Sequence, residues 1–237
     1  MLRSSKLRSA ELTRDGQSVG EVLDVLFDDR NSQVRYLAVD IGTWREGHKI
    51  LVPPAALAPA GRDDGMLVDT PRLETTLDQA QLEQCPSTAV DRPVSRQHEI
   101  ELYERMGWQP YWLGIPMAAP GPVWTPAAPA PAVPETVRDD LHHEADPHLR
   151  STNEIEGYYI HATDGDIGHV EDLLIDPARW IVSHFVIDTK NWWPGTKVVV
   201  PTSKIAAIDW AERTLAVEVD RAWIKSQPVF DETWRGA

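Results

Sequence analysis

The chain has one cysteine, Cys85, among 237 residues. No intrachain disulfide can form, which excludes a small secreted fold stapled by cystines. No stretch approaches the ~18–20 consecutive apolar residues that span a bilayer as a helix. The N-terminal "MLRSSKLRSAELTRDG" has basic residues without an apolar run behind them, so it does not read as a signal peptide. A soluble, cytoplasmic protein without direct membrane insertion is expected. Basic residues are outnumbered, 23 to 37, for a formal net charge of −14. Such a surface repels phosphate, so no nucleic-acid partner is expected. Enzyme signatures are missing too: there is no GxSxG, P-loop or dinucleotide fingerprint. Cys85 precedes Pro86 with no flanking motif to activate a thiolate. No catalytic residue, cofactor or metal site is assigned, and the protein is read as a non-enzyme.

What the chain has is a duplication. Setting Gly20 against Gly168 and keeping the offset of 148 as far as Leu57 and Ile205 aligns "GEVLDVLFDDRNSQVRYLAVDIGTWREGHKILVPPAAL" with "GHVEDLLIDPARWIVSHFVIDTKNWWPGTKVVVPTSKI". Twelve of the 38 pairs are identical, among them Asp24/Asp172, Asp28/Asp176, Asp40/Asp188, Trp44/Trp192 and Lys49/Lys197. Internal repeats decide fold class before local pattern does. Between the copies, residues 114–137 hold seven prolines, which fix φ and remove backbone donors; an extended spacer is expected.

Each copy reads as short strands. In the second they are expected near 156–162, 167–175, 181–188, 197–200 and 214–219, rich in Val, Ile and aromatics and broken by Asp-Gly, Asp-Pro and Pro-Gly turns. "PPAAL" and "PTSKI" suit a single helical turn after a strand. Helix is expected over 73–84, after Ser95 and after Asp220. The fold class is mainly β: two small units of short antiparallel strands, each a barrel or a sandwich, with a few short helices and a proline-rich linker. The divisions are residues 1–82 for the first unit, 83–150 for a helical bridge and linker, and 151–237 for the second unit.

The acidic stretch "DGDIGHVEDLLID" (164–176) invites a calcium reading. An EF-hand loop needs glycine sixth and glutamate twelfth, whereas these positions hold His169 and Ile175. Its first-copy partner keeps the Asp-Gly turn and the strand pattern, so the stretch is a hairpin. The unshared acids Asp166 and Glu171 are read as surface charge. The shared aspartates are expected to accept turn N–H groups, or to pair with Lys49 and Lys197. "HHEADPHLR" gathers His142, His143, Glu144, Asp146 and His148. A metal-dependent enzyme built on it is the alternative reading, though Pro147 opposes the helix an HExxH site needs. Trp44, Trp112, Trp192 and Trp193 are possible interface residues, since exposed tryptophans often anchor contacts.

The hairpins "DGQSVGEVLDVLFDD" and "DGDIGHVEDLLID", then "VRYLAVDIG" and "VSHFVIDTK", then "KILVPPAAL" and "KVVVPTSKI", resemble the PRC-barrel family. That family is named for the cytoplasmic domain of the photosynthetic reaction-centre H chain. The resemblance implies a barrel of about six strands per unit and a binding or assembly module. A protein partner or a homo-oligomer follows as the expectation. A ribosome maturation factor with a PRC-barrel is another relative, and an RNA-associated role is the third reading.

Overall fold

The computed structural model describes residues 1–42, 48–58, 72–85, 148–189, 195–209, 211–231 and 234. The first unit holds β1 (Leu2–Arg3), α1 (Ser4–Leu7), β2 (Glu11–Arg14), β3 (Gln17–Asp28), β4 (Val34–Asp40), β5 (Lys49–Val52), β6 (Arg72–Glu74) and α2 (Gln79–Gln84). The second holds β7 (Leu149–Ser151), α3 (Thr152–Ile155), β8 (Tyr159–Ala162), β9 (Gly165–Asp176), β10 (Ile181–Asp188), β11 (Lys197–Pro201), β12 (Ile205–Asp209), β13 (Thr214–Val217) and α4 (Arg221–Lys225). The protein is mainly β, in two sheets. One sheet runs β5-β4-β3-β2-β6 and the other β11-β10-β9-β8-β13-β12. Neighbours pair antiparallel except β2/β6 and β8/β13, which are parallel.

The second sheet repeats the order of the first and adds β12 beyond β13. Single 3-10 turns at Pro54–Ala56 and Thr202–Lys204 follow β5 and β11, where the proline pairs predict them. The Asp-Gly signal becomes a hairpin: Asp15 (φ 50°) and Gly16 (φ 75°) both take the left-handed conformation of a type I′ turn. Asp78 and Asp220 cap α2 and α4 by accepting the N–H of Gln81 and Trp223. The helix expected over 73–84 is shorter, because 72–74 is a strand. Leu73 enters the core while Arg72 stays exposed and Glu74 half-exposed, an alternation that a strand satisfies and a helix does not. The helix expected after Ser95 and the proline-rich segment lie outside the described residues.

The long strands β3 and β9 explain how the units meet. β9 gives its first residues to β8 (His169 to Gly165). Its far end on that side receives β1 of the first unit, with Leu2 opposite Ile175 and Arg3 opposite Leu174. Reciprocally, the far end of β3 receives β7, with Arg150 opposite Phe27 and Ser151 opposite Leu26. The units thus exchange their first strands, and one buried apolar cluster runs through both, from Leu2 and Leu7 to Ile155 and Ile175.

Gly20 and Gly168 mark a close approach rather than a turn. A Cβ on Gly168 would lie 1.9 Å from the Asp188 carbonyl oxygen, and one on Gly20 2.7 Å from that of Asp40. A backbone atom cannot yield as a flexible side chain does. Gly168→Ala is therefore expected to cost about 1–3 kcal/mol, measured as a lowered midpoint in denaturant unfolding at unchanged slope.

Candidate functional site at the junction of the two units

The exchange is held by two carboxylates, Asp172 buried and Asp24 half-buried. Asp172 is fully buried on β9. Its Oδ1 accepts from Ser4 Oγ (2.6 Å) and from the Ser5 N–H (3.1 Å). Its Oδ2 accepts from Ser5 Oγ (2.5 Å) and Arg3 Nε (2.7 Å). All four donors come from the other unit. Asp24, 148 residues earlier, does the same for α3, accepting from Ser151 Oγ, Thr152 Oγ1 (3.1 Å) and the Asn153 N–H (3.3 Å). Each aspartate also accepts the N–H of the next residue, Val25 or Leu173. Burial pushes the Asp172 carboxyl up, but the hydrogen bonds from Ser4, Ser5 and Arg3 outweigh it and hold the group below the usual carboxylate range.

A pseudo-twofold axis passes between equivalent positions. Gln33 bridges Ile181, its own counterpart at the offset of 148. On either side, the Val34 N–H donates to Trp180 O and the Val182 N–H to Ser32 O, both 2.8 Å. Arg8 and Glu156 are likewise equivalent positions, and they meet as an ion pair, Nη2 to Oε2 at 2.6 Å. Burial pushes the Glu156 carboxyl up in spite of Arg8, with Asp172 adding to the rise, so the pair aligns the halves more than it stabilises them.

At one end of the junction lies a cavity of about 560 Å³, lined by Phe27, Arg30, His148 and Arg150 and by β12 from Ile205 to Ile208. Asp29 organises its rim: His148 Nδ1 lies 2.9 Å from Asp29 Oδ1, and Arg150 Nε donates to Oδ2 at 2.6 Å. His148 is thus engaged with Asp29. The rest of its cluster, His142, His143, Glu144 and Asp146, lies outside the described residues, as do Trp44, Trp112, Trp192 and Trp193.

The remaining acids divide. Asp28, Asp40 and Asp176 accept the N–H groups of Arg30, Gly42 and Ala178, the turn role expected of them. Lys197 does not pair with Asp188 as anticipated: its Nζ lies 2.5 Å from Glu171 Oε1. Glu171 is accordingly not loose surface charge, but half-buried in an ion pair. Asp166 is exposed, beside His161 Nδ1 at 2.5 Å. Cys85 is buried, and that burial pushes its thiol up to about 12, far from the reactive range. Among the described residues, no helix is long and apolar enough to cross a membrane.

Residues 4–74 match the family model of the PRC-barrel domain, covering α1 through β6. The chain therefore contains a PRC-barrel domain. No curated protein matches the chain.

Two outcomes follow for the junction. Arg8→Glu places two carboxylates together and is expected to destabilise by about 1–3 kcal/mol, while adding Glu156→Arg recovers most of the loss; thermal unfolding of the four proteins checks it. Asp172 has a folded-state pKa below its unfolded one. Its stabilisation is complete above the unfolded carboxylate value of about 3.9 and disappears as pH falls through the folded value. The wild-type melting temperature is therefore expected to drop below about pH 4. Asp172→Asn should be low already at pH 7 and change less over that window.

Proposed function

We propose that the chain is a non-enzymatic assembly protein made of two PRC-type units, acting in the cytoplasm by binding another protein or a further copy of itself. The carrying observation is the PRC-barrel match over 4–74, whose strand order the second unit repeats around a shared core. The identical pairs at the offset of 148 support treating residues 151–237 as the second such unit. The net charge of −14 suits a basic protein surface and disfavours RNA. The titratable groups described at the junction spend their bonds on joining the units: Asp172 and Asp24 accept N–H groups from the first turns of α1 and α3, and Asp29 holds His148 and Arg150. That use supports binding rather than turnover.

The test is to tag the full chain at its native abundance in its host. Recovered complexes are identified by mass spectrometry and their mass measured by light scattering. A stoichiometric protein complex or a defined homo-oligomer is expected. Recovery of the chain alone, as a monomer, overturns the reading.

A further inference from the structure

On the outer face of the second sheet, three side chains of metal-ligating type converge. His169, Glu171 and Asp188 each present one ligand atom, and these atoms all lie within 4.8 Å of one another. The strand register brings them there. Asp188 on β10 sits directly opposite His169 on β9, and His169 Nε2 is 3.9 Å from Asp188 Oδ2. Glu171 is the residue that the β9/β10 register skips, where Val170 faces Ile187 and Asp172 faces Val186. Such bulges re-aim a side chain and recur beside binding sites. All three residues are half-buried, on strands anchored by the buried Val170, Asp172 and Ile187.

We propose that His169, Glu171 and Asp188 form a binding site for a divalent cation of the zinc class. One imidazole and two carboxylates make a borderline-to-hard donor set that suits Zn²⁺ or Co²⁺ and leaves a coordination position open to water or to a partner's side chain. Donors around a tetrahedral Zn²⁺ with bonds of about 2.0–2.1 Å sit about 3.4 Å apart, so the trio must contract by roughly an ångström. Rotation of the half-exposed carboxylate tips supplies that much. Lys197 is the competing cation: it lies opposite Asp188 on β11 and pairs with Glu171. Binding a metal displaces the ammonium to solvent.

The first unit supplies an internal control. It keeps the equivalents of Asp188 and Lys197 as Asp40 and Lys49, but has Glu21 in place of His169 and Leu23 in place of Glu171. It therefore lacks the imidazole and has no ligand at the third position, and the site belongs to the second unit alone.

The experiment uses full-length, chelator-stripped protein carrying His142→Ala and His143→Ala, so that the histidine-rich segment adds no signal. It is titrated with Zn²⁺ by calorimetry and with Co²⁺ by visible absorption. One equivalent is expected to bind, with d–d bands of a low-coordinate Co²⁺. His169→Ala and Glu171→Gln should each weaken binding by about 10- to 100-fold. Lys197→Met should tighten it by removing the competitor, a gain that misfolding cannot mimic. Asp40→Asn should leave it unchanged. Absence of saturable binding, or binding indifferent to His169→Ala, overturns the proposal. The outcome is independent of whether a protein partner is found.

Discussion

The carboxylate of Asp172 sits in the sheet of one unit with its donors in the other. A buried charge without partners costs several kcal/mol, and a carboxylate accepts several hydrogen bonds at once. Arg3, Ser4 and Ser5 provide them from about 170 residues earlier in the chain. The second sheet cannot satisfy its own core until the first residues of the chain cross to it. The same constraint runs the other way through Asp24, Ser151 and Thr152. Neither unit is complete by itself, which is why a single apolar cluster spans both.

This reciprocity gives the duplication its physical meaning. In a pair of identical chains related by a true twofold axis, a residue beside the axis meets its own copy. An arginine at position 8 would face an arginine, and a glutamate a glutamate. Joining two copies in one chain frees the two positions to differ, and here they carry Arg8 and Glu156, at 2.6 Å. A half-buried ion pair of this kind adds little net energy, yet like charges there would be costly, so it favours one arrangement of the halves over the pairing of like with like. The Gln33–Ile181 bridge shows the relaxed form of the same freedom, with unlike residues facing each other between the two backbone bonds that flank the axis.

The strands were legible from the sequence because inward residues alternate and turns carry their own chemistry. β10 runs over 181–188 as read, and Asp15-Gly16 forms the tight turn its residues demand. β6 was not, because a three-residue strand inside "RLETTLDQAQLEQ" is too short to show its period against a helical background. The junction was half legible. The offset marks Asp24 and Asp172 as equivalent, but strand-end aspartates are so often turn formers that a cross-unit role does not stand out. Extended upstream, the offset sets Arg3-Ser4-Ser5 against Ser151-Thr152-Asn153, so two hydroxyls stand in each segment although only Ser4 and Thr152 share a position. What these hydroxyls meet depends on where β1 and β7 dock, and docking is a tertiary choice made by the open ends of β3 and β9.

The pattern of identity and divergence follows the same physics. Identical pairs such as Gly20/Gly168, Val22/Val170 and Val34/Val182 are buried in both copies, where volume and backbone approach leave little freedom. Asp24/Asp172 persist because each completes the other half. The outward positions beside them are free to change: Glu21 and Leu23 are exposed, while His169 and Glu171 are half-buried in a network with Asp188 and Lys197. A fold duplicated in this way keeps its shape through the residues that face inward and across the axis. It gains distinct surfaces through those that do not, so any binding specific to one unit must be sought on the outer faces, where the two copies no longer agree.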